Sequence, residues 1–199
     1  KSQMLMSQKI RLNKGGQESC APTLMLKDTV QPLTASAGRA LGALMTKFKH
    51  SGGFNFDIYT KLYNSLVDPV LNYGAGLWGT SEYKTANTIQ HRACRFFLGV
   101  GSNTSNLATR GEMGWHSQCH KQYVEVARLY CRLQQLPNTR LTHAVHQYSL
   151  HHGARSTWES KAKSLFNRIG FRIPEGEISQ AGVLHDLKIL LQDLDQEQW

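Results

Sequence analysis

The side chains in this sequence that could do chemistry are mostly nitrogen and sulfur donors. There are nine histidines and four cysteines. His116, Cys119 and His120 lie close together, and His143 and His146 stand at three-residue helical spacing with His151 and His152 just beyond. Imidazole and thiolate are the usual zinc ligands. No Cys-x2-Cys pair occurs, however, and no spacing matches a zinc pattern, so neither a metal site nor a cofactor is expected. Nucleophilic catalysis lacks its parts as well. Cys119 beside His116 or His120 has no third, orienting group, and adjacent residues on a helix do not face each other. Asp57 and Asp68 fall at non-facing separations, and no strand-borne aspartates could hold two metal ions. The chain is therefore read as carrying no active site of its own.

The cations are more informative. The chain has 23 Lys and Arg against 14 Asp and Glu, a formal charge of +9. Residues 1–174 hold 22 basic and 8 acidic side chains (+14), whereas 175–199 hold only Lys188 against six acids (−5). A basic body points to a polyanion, most often nucleic acid. The most focused cations belong to a helix that Thr80 or Ser81 caps and that runs to about Leu98. Ala86, Ile89, Ala93, Phe96 and Phe97 form its apolar side. Lys84, His91 and Arg95 cluster almost opposite, with Arg92 nearer the edge. Such residues would touch phosphates, contacts that position nucleic acid without reading its sequence. Gly99-Val100-Gly101 lacks the Gly-Lys-Ser/Thr ending of a phosphate-binding loop.

The elements that must position this stripe read as helices throughout. Residues 1–28 show no period and form a basic lead-in without expected order. From Asp28, Val30, Leu33, Ala37, Leu41, Leu44 and Phe48 mark one helix face, with Pro32 in its first turn. Its interior glycines, Gly38 and Gly42, suggest close packing on the next helix. That next stretch, Ile58–Gly79, has the densest apolar pattern in the chain. Pro69 should kink it, and Gly74, Gly76 and Gly79 should let other segments approach or end it. Residues 99–116 read as loop. A fourth helix covers about Gln118 to Gln135. A shorter one, Arg140–Leu150, turns Leu141, Ala144, Val145 and Tyr148 inward. A capping box at Ser156-Thr157-Trp158-Glu159 opens the next. The last helix, from about Ile178 to Glu197, buries a leucine face and is acidic outside. Cys94 and Cys131 read as buried free thiols.

Residues 35–148 carry a resemblance. The strings ASAGRALGALMTKFK, YTKLYNSLVDPVLNYGAGLWG, IQHRACRFFLGVG and GEMGW, in this order and spacing, resemble the region just after the catalytic palm in reverse transcriptases of non-LTR (LINE-type) retrotransposons. The resemblance implies a thumb and the helical segment beyond it, which grip template and growing strand by their backbones. It places Arg92 and Arg95 on the family's Arg-Ala-x-Arg motif, and Pro69, Tyr73, Gly74, Trp78 and Gly79 on its structural core. The palm with its metal-binding aspartates, the endonuclease domain and the Cys/His knuckle of the family have no counterpart in these residues.

The expectations are then these. The fold is all-α, with about six to seven helices in a thumb-like bundle and a more loosely attached C-terminal part. Residues 1–28 are the lead-in, 29–150 the bundle, and 151–199 the C-terminal segment. The chain is a non-catalytic fragment of an RNA-directed DNA polymerase. Its partners would be RNA, DNA or their hybrid, bound weakly and without sequence preference, and the rest of the polymerase. No membrane, small-molecule substrate, metal or cofactor is expected, and the place is intracellular. The alternative is a helical protein-interaction module or a relic without function.

Overall fold

The computed structural model of the protein describes residues 26–152, 157–173 and 179–197. Every regular element among them is helical. The bulk of the expected lead-in lies outside the described residues, but its last residues already belong to the first helix, α1, Leu26–His50. Pro32 therefore sits inside α1 and not in its first turn. Lys47, Lys49 and His50 close it, where cations complement the helix dipole.

The next stretch is broken where its proline demands. α2 (Phe56–Leu62) passes into a π-helical turn, Tyr63–Val67, and then into α3 (Asp68–Leu71). Pro69 has no N–H to give to the preceding turn. The wider turn absorbs the defect, with the Asp68 N–H donating to Tyr63 O. Gly74, at φ +66°, then starts α4 (Ala75–Trp78). α5 (Lys84–Leu98) follows, with Tyr83 at its cap position and no side-chain cap, so neither Thr80 nor Ser81 plays that part. Within the expected 99–116 loop lies α6 (Asn106–Glu112), capped by the Ser105 hydroxyl. α7 spans Gln118–Gln135, α8 Leu141–His152, α9 Trp158–Arg168 and α10 Gln180–Glu197. The cap of α9 is Thr157, one residue later than the capping box suggested; its hydroxyl accepts from the Ser160 N–H. The short α4 and α6 are what the expected count of six to seven lacked.

Two large apolar cores result among the described residues, with a small third cluster of Val30, Ala75 and Trp78 where α1 meets α4. The first joins α1, α2, the π turn, α3 and α5 around Leu41, Tyr59, Tyr63, Val67 and Leu71, all essentially inaccessible to water. Aromatic rings dominate it: Tyr59 stacks on Phe97 with centroids 4.8 Å apart, and Tyr63 on Trp115 at 4.4 Å. Pairs of this kind add about 0.5–1.5 kcal/mol each beyond area burial. The second core gathers Val126, Ala127 and Cys131 of α7, Leu165 and Phe166 of α9, and Leu187 and Leu191 of α10. α7 shares this core with the C-terminal helices. Cys94 and Cys131 are buried free thiols.

α4 joins the halves. It lies so close to α7 that a Cβ on Gly79 would stand 3.1 Å from Gln122 Cβ, besides pressing on Ala75 O of its own turn at 2.5 Å. A Cβ on Gly76 would meet Glu125 O and Leu129 Cβ at 3.1 Å. The expected close approach is real at Gly76 and Gly79, where the neighbour is α7, but not at Gly74, where a Cβ would meet nothing within 4 Å and the positive φ turns the chain. The glycines of α1 have no such role: a Cβ on Gly38 would make ordinary contact with Ile89, and one on Gly42 would meet nothing.

The inward reading of α8 fails. Leu141, Val145 and Tyr148 are exposed, and His146 is the buried residue. His146 packs edge-on against Tyr130, and Glu159 receives its Nδ1 contact at 3.4 Å and the Ser149 hydroxyl at 2.6 Å. A polar anchor, not the leucine stripe, sets the rotation of this helix.

Candidate functional site

Two places bring chemically capable side chains together. The first is a groove of about 750 Å3 between α1, α5 and the loop after α5. Lys49 and Thr46 line it from α1, Thr88, Arg92 and Arg95 from α5, and Ser102 from the loop. No carboxylate among the described residues lines it. Its floor includes Phe96, over whose ring the Lys49 ammonium sits at 5.9 Å. Gly42 opens into it, which explains why a small residue there meets no neighbour.

The expected stripe is redistributed by this geometry. Arg92 is exposed and pairs with no carboxylate among the described residues. Arg95 is half-buried and engaged: its Nη2 donates to Thr104 O at 3.2 Å and to Asn106 Oδ1. Arg95 thus ties the 99–105 loop to α5 and shapes the groove wall. Lys84 is exposed at the start of α5 and follows Thr88 and Arg92 at four-residue steps along one side, without reaching the groove. His91 faces the other way, into a cavity of about 480 Å3 shared with Arg110 and Cys119. Burial, then the Arg110 and Arg95 charges, hold its imidazole below the ordinary range, so it is neutral at neutral pH. The groove also holds a cation outside the expected stripe, Lys49. The signal was there in the basic last turn of α1, but nothing local says that α1 ends beside the middle of α5.

The second place lies at the start of α7. Asp195, near the end of α10, turns inward and away from the acidic outer face expected of that helix. Its Oδ2 accepts from the Ser117 N–H at 3.2 Å, capping α7 together with the Ser117 hydroxyl, which accepts from His120 N–H at 3.1 Å. The same Oδ2 faces His120 Nδ1 at 3.5 Å and His116 Nδ1 at 3.8 Å; Arg110 Nη2 approaches Oδ1 at 3.6 Å. The two imidazoles are stacked with centroids 4.3 Å apart. Burial raises the Asp195 carboxyl, but the facing His120 imidazole, the hydrogen bond from Ser117 and the Arg110 charge outweigh it and hold it below the usual carboxylate range. Burial and the neighbouring His120 ring hold His116 low. His116 and His120 were noticed in the sequence; their third partner comes from the last helix, which no local pattern reveals. Cys119 turns away toward Tyr123, and burial pushes its thiol up to about 11, which rules it out as a ready nucleophile.

A buried polar seam connects this place to the first core. Asn72 Nδ2 donates to Gln118 Oε1 at 3.1 Å, Gln118 Nε2 reaches Tyr63 OH and Asp68 Oδ1 at 3.4 Å each, and Lys121 Nζ pairs with Asp68 at 2.7 Å. No helix among the described residues is long and apolar enough to cross a membrane. No protein-family model, no curated protein and no solved structure matches this chain.

Proposed function

We propose that this chain is the non-catalytic, thumb-like helical region of a retrotransposon reverse transcriptase, and that it holds nucleic acid by the phosphate backbone without regard to sequence. The parentage rests on the resemblance of residues 35–148 stated above. The binding role is carried by one observation: the groove between α1 and α5 presents Lys49, Arg92 and Arg95, with no carboxylate among the described residues in its lining. Cations on a concave wall, with hydroxyls of Thr46, Thr88 and Ser102 between them, suit phosphates spaced along a strand. Arg92 and Lys49 make the contacts in this reading, and Arg95 holds the wall. The chain performs no polymerase chemistry itself; it would steady the template and primer for a palm supplied by the rest of the polymerase.

The test is titration of a labelled RNA–DNA hybrid at several salt concentrations. Affinity should fall steeply with salt, and Lys49→Ala with Arg92→Ala should flatten the dependence by about one unit of slope per cation removed. Binding indifferent to salt, or unaltered in the double variant, would remove the groove from consideration.

One observation favours the second reading, a helical protein-interaction module. α8 exposes Leu141 at 79%, Val145 at 57% and Tyr148 at 67% along one face. Concentration-dependent sedimentation of the chain, abolished by Leu141→Glu and insensitive to Arg92→Ala, would support that reading over the first.

A further inference from the structure

We propose that His116, His120 and Asp195 form a binding site for a divalent transition-metal ion of the zinc class, one that clasps the last helix to the start of α7. The three side chains offer one ligand atom each, all within 4.8 Å of one another.

Hydrogen bonding alone explains this arrangement poorly. The imidazole-to-carboxylate separations, 3.5 Å from His120 and 3.8 Å from His116, are longer than a hydrogen bond. They are close to the edges of a tetrahedron of ligands. With Zn–N and Zn–O distances of about 2.1 Å, those edges measure roughly 3.4 Å. His120 is 7% exposed, yet its Nδ1 has no hydrogen-bond partner and points at Oδ2. An unpaired polar atom buried to this degree is costly, and a cation shared with the carboxylate would satisfy it. The widest gap closes if His116 turns, and its side chain is 44% exposed and free to do so.

The surroundings fit the role. Both imidazoles offer Nδ1 toward the same carboxylate oxygen, Oδ2, while Arg110 approaches the other, Oδ1. The guanidinium would then orient the ligating carboxylate from outside, as outer partners of metal ligands do, and would stay clear of the ion. Imidazole and carboxylate together suit zinc, cobalt or nickel and not magnesium, which takes oxygen ligands and keeps its water. Three protein ligands leave a fourth position. The cavity of about 500 Å3 that both histidines line provides room for water there. Because the histidines and the carboxylate come from opposite ends of the second half, an ion at this point would cross-link α10 to α7.

The experiment is titration of the intact chain with Co2+ and Zn2+, followed by the visible absorption of tetrahedral cobalt and by calorimetry. One equivalent should bind, with zinc displacing cobalt and excess magnesium displacing neither. His120→Ala should weaken binding at least tenfold, and Asp195→Asn, which keeps the shape of the carboxylate, should do the same. His116→Gln, at an exposed position, serves if the buried variants unfold. His185→Ala, at an exposed histidine elsewhere on α10, should leave binding unaltered. Metal should also raise the melting temperature of the parent and not of the Asp195→Asn chain. Absence of stoichiometric binding, or binding undiminished in both His116→Gln and Asp195→Asn, would overturn the site.

Discussion

Around α1, α2 and α5 the interior is almost wholly aliphatic and aromatic, whereas around α7 it is threaded with polar side chains. In the first half, Leu41, Tyr59, Tyr63 and Val67 meet no water, and the hydroxyl of Tyr59 finds the carbonyl of Ala93 at 3.0 Å. In the second, Gln118, His120, Gln122 and His146 are buried, and both polar atoms of the Gln122 amide lack a hydrogen-bond partner. The two designs hold a chain together differently. Apolar burial is non-directional and tolerates some repacking. Buried polar groups demand particular partners, and each unmet one costs about 1–3 kcal/mol. The first half therefore offers a rigid wall on which a groove can be mounted. The second has specific, charge-dependent joints at which an ion or a proton can act.

The largest effects should come from cutting each core in turn. Leu41→Ala and Leu187→Ala each remove a fully buried side chain, at a cost of about 2–5 kcal/mol. Urea unfolding followed by tryptophan fluorescence can tell the halves apart, because Trp115 stacks on Tyr63 in the first core and Trp158 lies by Tyr130 in the second. If the α4 seam couples the halves, either substitution shifts one common transition. Two transitions, with Leu187→Ala moving only the second, would mean that the cores are independent folding units.

A smaller effect should follow from the seam itself. Gly79 has an ordinary φ of −70°, so a side chain there is opposed by contact and not by backbone strain. An alanine would press on Ala75 O and Gln122, and overpacking of this kind costs about 1–3 kcal/mol. Gly42→Ala, at an open position within a helix, should instead be neutral or stabilising by up to about 1 kcal/mol. Equal destabilisation by both would mean that α4 does not carry the contact between the halves.

The same contrast decides what the sequence could reveal. α1, α5 and α7 were legible because their apolar residues recur at helical spacing over many turns; α7 was bounded correctly at Gln118 and Gln135. α4 and α6 were missed because one or two turns show no clear period, and because glycines that permit close packing look the same as glycines that make loops. The rotation of α8 was misread because a short run of leucine, valine and tyrosine outweighed one histidine, while the partner that buries His146 stands on another helix. Of the candidate residues, Arg92 and Arg95 do flank one groove. His91, expected in the open stripe, is instead covered because residues of α6 and α7, Arg110 and Cys119 among them, close a cavity over it. Lys49 in the groove and Asp195 beside the histidines were out of reach: each is brought in by tertiary contact from a distant helix.

The mildest perturbation is acid, and it should discriminate between the halves without any substitution. His91, His116 and His146 are all held below the ordinary imidazole range, each chiefly by burial. Their neighbours differ. Arg110 and Arg95 reinforce the shift at His91, His120 reinforces it and Asp195 opposes it at His116, and Glu159 opposes it at His146. A lowered imidazole pKa means that, as pH falls through the ordinary histidine value of about 6.5, the unfolded chain takes up protons before the folded one. Folding is therefore weakened from about that pH downward. The carboxyls of Asp195 and Glu159 are depressed, so their contribution persists there and is lost only at lower pH, below the ordinary carboxylate range. His91 stands on α5 but faces the cavity beside Arg110 and Cys119, and His146 touches Tyr130 beside Trp158. Urea midpoints measured between pH 7.5 and 5.5 should therefore fall on acidification, with the Trp158 signal loosening no later than that of Trp115. A midpoint flat across this range would mean that the imidazoles protonate freely in the folded chain, and the Trp115 signal failing first would place the acid-sensitive joint in the aromatic half.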